Sequence, residues 1–210
     1  MKYAIFDEKG LPKAFYDKTI HGDKIPEEAI EITDKQWSQF INNQGKRAWD
    51  FENKQVIDIS NSYFDETQNK WIQKTEDEIK QEKLQQKQQR LTLQLKQIFK
   101  DYRSNKATLQ SQTINKEINA RQEDLINIDG LISVLLNDTD TVQFRCADNS
   151  FVEVTKSELE NIKKEIIQFG QKLYQNKWNI ENQINNLTID DIDKEYEIDL
   201  ENGELKLKEE

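Results

Sequence analysis

The sequence predicts an α+β protein, mainly helical, and three observations support that class. Apolar residues recur at helical spacing through two long stretches with almost no helix breakers, residues 66–110 and 156–187. Short alternating runs of apolar and polar residues, bounded by Gly, Asn and Asp, flank those stretches and predict hairpins. Hydrophobic residues make up 35% of the 210-residue chain and charged residues 33%. Several small cores are therefore expected rather than one large one. The expected organisation is a small mixed β/α module over residues 1–62 and a long coiled-coil-like helix over 63–110. A C-terminal helix–β-hairpin–helix domain over 111–195 and an acidic terminal hairpin or tail over 196–210 complete it.

In the first module, residues 3–6 and 13–17 predict a hairpin around Asp7-Glu8-Lys9-Gly10. Ile25 precedes Pro26 and so is extended. Residues 29–32 read as a strand, and Thr33 with Gln36 forms a capping box. The helix that follows carries Trp37, Phe40 and Ile41 on one face and stops near Asn43-Gln44-Gly45. Residues 47–51 and 55–59 are two further strands. Large aromatics on so small a module make Trp49 and Phe51 candidate partner-binding residues, with burial in the core as the alternative.

The central stretch has no Gly or Pro, and seven of residues 81–97 are Gln. Thr75 and Glu78 form a second capping box. Leu84, Leu91, Leu95, Ile98, Tyr102 and Leu109 follow at spacings of 7, 4, 3, 4 and 7, a heptad seam whose gaps hold Gln88 and Asn105. One narrow stripe cannot bury itself. The seam therefore predicts either self-association as a coiled coil or an intramolecular helix hairpin.

Residues 111–137 predict a second helix on Ile114, Ile118, Leu125, Ile128, Ile132 and Leu135. Arg121 takes the missing seam position, either paired with Glu117 or Asp124 or reaching out to the edge. Val142, Phe144, Val152 and Val154 form one face of a hairpin around Ala147-Asp148-Asn149-Ser150, with Cys146 as a small core residue. Thr155 and Glu158 cap a long helix on Leu159, Ile162, Ile166, Phe169, Leu173, Ile180 and Ile184, expected to pack on residues 111–137. Tyr174 and Trp178 widen that stripe as core-edge residues. Asn202-Gly203 predicts a type I′ turn in a terminal hairpin faced by Ile198, Leu200, Leu205 and Leu207.

The formal net charge is -10, and residues 188–210 hold ten Asp and Glu against Lys194, Lys206 and Lys208, a net of -7. That stretch reads as a solvated tail or as a docking tail for a basic partner. A sequence pI of about 4.9 argues against nucleic acid as a partner, and no apolar run is long enough for a membrane span. One cysteine and one histidine exclude a disulfide framework and a His-clustered metal site. Phosphate-loop, zinc-protease and nucleophile-elbow motifs are missing. The expectation is a soluble, intracellularly made protein that is not an enzyme, with no catalytic residues, metal or cofactor.

Two stretches resemble known phage proteins. Phe144-Arg145-Cys146-Ala147-Asp148-Asn149-Ser150, followed by Val154-Thr155-Lys156-Ser157-Glu158-Leu159 and then Tyr174, Trp178 and Ile184, resembles a C-terminal domain of unknown function in phage tail-fibre-associated proteins. Ile118-Asn119-Ala120-Arg121 and Asp124-Leu125-Ile126-Asn127-Ile128 look like that domain's first helix, and the likeness spans about residues 105–195. Val154 stands where the family usually has Leu, and Lys156-Ser157 replace small residues. Ile25-Pro26-Glu27-Glu28-Ala29-Ile30-Glu31-Ile32-Thr33, followed by Trp37, is similar to the opening of tail fibre assembly proteins. The resemblance implies a phage or prophage tail fibre assembly chaperone or fibre-associated accessory protein. Such a protein would act by protein–protein binding in the host cytoplasm. A structural tail component, an adaptor or tail-tip protein that stays in the virion, is the alternative. The implied partner is a tail fibre or another tail protein, and a homo-oligomer is compatible with the seam.

Overall fold

A computed structural model describes residues 1–208; Glu209 and Glu210 of the acidic terminus lie outside the described residues. The structure corrects the fold class. Helix accounts for 45% and strand for 27%, in five helices and six small antiparallel sheets among the described residues. The fold is a mixed α+β arrangement with a long central helix, and its C-terminal part is not a helix–hairpin–helix. Two compact units divide at Lys80 and Gln81, each with its own core.

In the first unit, β1 (Lys2–Phe6) lies between β2 (Pro12–Asp17) and β3 (Ile30–Ile32), antiparallel to both. One turn of helix, α1 (Lys18–His21), follows β2. Helix α2 (Asp34–Asn42) begins at the Thr33 capping box: the Gln36 amide donates to Thr33 Oγ1 at 3.1 Å, and the Thr33 amide donates to Gln36 Oε1 at 2.8 Å. Two hairpins follow, β4 (Arg47–Asp50) with β5 (Gln55–Asp58) and β6 (Ser62–Asp65) with β7 (Lys70–Gln73). The second occupies residues expected to open the long helix. Ala4, Ile32, Phe40 and Trp49 form the core, flanked by Phe6, Phe15, Trp37 and Val56. Gly10 fixes β4 against the β1–β2 turn. It sits at φ +78°, the Trp49 amide donates to its carbonyl at 2.7 Å, and a Cβ there would come within 2.1 Å of the Trp49 carbonyl oxygen.

Helix α3 (Glu76–Asp101) gives all but its first turn to the second unit. A π-helical turn, Tyr102–Lys106, closes when the Ala107 amide donates to the Tyr102 carbonyl at 2.8 Å. Then come β8 (Thr108–Ser111), β9 (Lys116–Asn119), α4 (Gln122–Val134), β10 (Thr141–Arg145), β11 (Phe151–Thr155), α5 (Lys156–Asn185), β12 (Tyr196–Asp199) and β13 (Glu204–Leu207). The buried stripe of α5 serves two clusters. Leu159, Ile162 and Ile166 meet Ile118, Ile128, Phe144 and Val154, while Leu173, Ile180 and Ile184 meet Leu91, Leu95 and Leu200.

The predicted helix over residues 111–137 is overturned in its first half. Ile114 and Ile118 are four apart but not on a helix, because β8 and β9 pair across a loop in which Asn115 adopts φ +50°. Glu165 of α5 holds that loop, accepting from the Thr113 amide at 2.9 Å and its hydroxyl at 2.7 Å. Arg121 lies in no helical seam. It precedes α4 and grips Asp124 with Nε at 2.9 Å and Nη2 at 3.0 Å.

One loop design closes four hairpins. The first strand ends at Asp50, Asp65, Ser111 or Asp199, and the second restarts five residues on. The residue before the restart takes a positive φ: Lys54 53°, Asn69 49°, Asn115 50° and Gly203 72°. In the Asp-led loops the carboxylate accepts the amide three residues on, at Asn53, Gln68 and Asn202. The terminal hairpin thus has a four-residue loop and not the two-residue type I′ turn. Leu200 leaves the strand and enters the core. Asn176 donates to the Leu200 and Glu201 carbonyls at 3.1 and 2.7 Å, and Gln183 accepts from the Leu205 amide at 2.8 Å. The acidic stretch, as far as described, is a docked hairpin rather than a free tail.

Candidate functional site

The aromatic ledge of the first unit starts from β4. Alternation puts Trp49 inward, where it is 5% exposed and stacked on Phe6 at 5.3 Å between centroids, with 9° between planes. Phe6 also meets Phe40 at 5.3 Å. Phe51, just past the strand, meets the Phe6 edge at 6.3 Å and 89° but stays 48% exposed. Asp50 fixes the loop that presents this ring, accepting from the Glu52 and Asn53 amides at 3.0 and 3.1 Å and from Asn53 Nδ2 at 2.8 Å. Those bonds, the Asn53 side chain first, hold the Asp50 carboxyl below its ordinary value. Of the predicted pair, Trp49 is therefore a buried support and Phe51 the presented ring.

The six seam residues part company. Leu84, Leu91 and Leu95 are buried within the second unit, the latter two against α5 and the terminal hairpin. Ile98 remains exposed. Tyr102 lies in the π-helical turn and packs on both clusters. Its hydroxyl donates to Glu201 at 3.1 Å, and burial, then that bond, pushes its phenol up to about 12. Leu109 is off the helix altogether, opposite Ile118 on β8.

Lys87 escaped sequence reasoning. The buried position between Leu84 and Leu91 is Lys87, 6% exposed, and not Gln88. Its ammonium donates to the Ile192 carbonyl at 3.0 Å and to the Lys194 carbonyl, and stands 5.3 Å over the Tyr196 ring. Burial pulls it below the ordinary lysine value, opposed by Glu195, Asp191 and Asp193. Part of the acidic stretch is thus counter-charge for a buried lysine. A cavity of about 270 Å³ lies beside α4, lined by Arg121, Asn127, Gln143, Arg145 and Phe151. Its two arginines are engaged, Arg121 by Asp124 and Glu123 and Arg145 by Asn149. Among the described residues there is no cluster of three metal-ligating side chains, and no helix is long and apolar enough to cross a membrane.

Fold and surface together define an α+β protein of docked hairpins and long helices with an exposed aromatic ledge. The model of a family described as a domain of unknown function (DUF4376) matches residues 77–199, more than half of the chain, and the chain belongs to that family. No curated protein and no solved structure matches it.

Proposed function

We propose that this protein assists phage or prophage tail-fibre assembly by binding another polypeptide, and that it performs no chemistry of its own. The observation that carries this reading is Phe51, half exposed against Phe6, which stacks on the buried Trp49, with its loop fixed by Asp50. A rigid ring so mounted gives a partner contact area at little cost in side-chain entropy. The likeness of residues 25–37 and 144–159 to tail-fibre-associated proteins supplies the process, and assembly in the host cytoplasm goes with it.

The test is co-expression with a candidate phage tail-fibre protein. The fibre is expected to be soluble and trimeric only in its presence. A fibre equally soluble and trimeric alone overturns the chaperone role. The protein is expected to be missing from purified tails; finding it there in stoichiometric amount replaces this reading with that of a structural tail component.

A further inference from the structure

We propose that the face of the second unit built from Phe99, Arg103, Tyr174 and Trp178 docks an acidic segment of a partner polypeptide, Arg103 taking a carboxylate and Trp178 an apolar side chain beside it. The inference rests on the protein-binding reading above and adds the partner's chemistry.

Tyr174 and Trp178 lie one turn apart on α5, where the sequence predicts core-edge residues, yet they are 40% and 55% exposed. Tyr174 packs on Phe99 of α3 at 4.9 Å between centroids and on Trp178 at 6.0 Å. Arg103 completes the cluster from the π-helical turn, a distortion that often marks functional positions. Its guanidinium lies 5.2 Å from the Tyr174 ring and 6.0 Å from Phe99, and its Nη1 donates to the Tyr174 hydroxyl at 2.9 Å. Arg47, Arg90 and Arg121 each pair with a carboxylate and Arg145 with the Asn149 amide; Arg103, half-buried, has no ion pair among the described residues. It is held in place by stacking with most of its donors unspent. Trp, Tyr and Arg are the residues on which binding energy concentrates.

Charge selects the partner. Residues 96–106 carry Lys96, Lys100, Arg103 and Lys106 against Asp101 alone, four cations less one acid or +3, within a chain of net -10. The facing stretch of α5, residues 166–180, adds Lys172 and Lys177 and no acid. Lys177 sits 5.7 Å from the Phe99 ring and pairs with Glu181 at 2.7 Å; Asp101 is taken by Lys106 at 2.7 Å, and Glu201 by the Tyr102 hydroxyl. A basic, aromatic island on an acidic surface complements an acidic, apolar segment and repels other acidic surfaces. A second copy is a poor occupant, because its own acidic stretch is already docked on α5 through Asn176 and Gln183, with Asp191 and Asp199 paired inside it to Lys194 and Lys206. Single-stranded nucleic acid would need a basic groove that tracks its backbone, and the net charge opposes it.

The test is fluorescence anisotropy of the full chain with a labelled peptide alternating Asp and Glu with Phe and Leu. Controls are the same peptide with Asn and Gln in place of the acids, and oligothymidylate. The acidic peptide is expected to bind, to weaken with salt, and to bind at least about tenfold tighter than its amide counterpart. R103Q and W178A are each expected to cost about tenfold without changing thermal unfolding. Trp178 is exposed, so W178A keeps the experiment informative even if R103Q disturbs the π-helical turn. Equal binding of the amide peptide, an unaffected W178A, tighter binding of oligothymidylate, or a dimer that W178A dissolves would overturn the proposal. If F51S abolishes fibre binding while the acidic peptide never binds, this inference falls and the proposed function stands. If the peptide binds through Arg103 and Trp178 but no tail protein does, the proposed function falls and this surface stands.

Discussion

The first unit is held by aromatic rings and close backbone contact, the second by aliphatic stripes on long helices. Phe6, Phe40 and Trp49 stack in the first around a turn where Gly10 lies against the Trp49 backbone. In the second, α5 supplies a continuous run of Leu and Ile, and the hairpins are fastened to it by polar side chains, Glu165 on one and Asn176 and Gln183 on another. The difference teaches where each unit is vulnerable. A two-stranded hairpin is marginal alone, so in the second unit the terminal hairpin, docked through its loop on α5, is expected to open without unfolding the cluster around Ile118, Phe144 and Val154. In the first unit the β4–β5 hairpin and the three-stranded sheet meet at one close backbone contact, Trp49 on Gly10, and damage there spreads.

The largest effect is expected from G10A. Its Cβ would overlap the Trp49 carbonyl and its φ is strained for alanine, so the first unit should lose at least about 3 kcal/mol. Hydrogen exchange across residues 1–80 is the measurement; retained slow amides in β4 would break the comparison. L95A, at a fully buried site, should cost the second unit about 3 kcal/mol by leaving a cavity, read from denaturant unfolding. G203A should cost about 1–2 kcal/mol, because φ +72° disfavours a side chain and a Cβ would meet Asn176 Oδ1 at 3.0 Å. Its lost exchange protection should be confined to residues 196–207; loss throughout α5 would show that the hairpin is integral to the core.

The smallest effect is a pH dependence. The Lys206 ammonium, then Asn202, holds Asp199 at about 2 against its ordinary 3.8. A depressed carboxylate stabilises the folded state fully above its unfolded value and loses that contribution as pH falls through the folded one. Protection of the terminal hairpin should therefore fall between about pH 4 and pH 2. In D199N it should be weaker and fall less steeply across that window, the rest of the fall belonging to Asp191 and Glu195, whose carboxyls are also held below their ordinary values; an unchanged acid profile in D199N would remove Asp199 as a cause.

Local capping chemistry made the helix starts legible. Thr33 with Gln36, Thr75 with Glu78 and Thr155 with Glu158 all form reciprocal bonds. The α5 stripe was legible because its period is long and unbroken. Residues 108–119 were misread because Ile114 and Ile118 mimic helical spacing across a loop. The missed signal was the recurrence of Asp or Ser followed four residues on by Lys, Asn or Gly, which residues 111–115 share with residues 50–54, 65–69 and 199–203. Lys87 was invisible because its acceptors are carbonyls more than a hundred residues away, and no spacing rule encodes that. Phe51 could be singled out from residue type and strand position, whereas its separation from the buried Trp49 required the register of β4.

Binding of the tail-fibre protein proposed as partner to wild type and F51S, each with its thermal unfolding recorded, tests the central claim most directly. Mounting the Phe51 ring for another chain predicts at least about a tenfold loss of affinity with unfolding unchanged. Undiminished binding by F51S, in a protein that melts as wild type does, would contradict it.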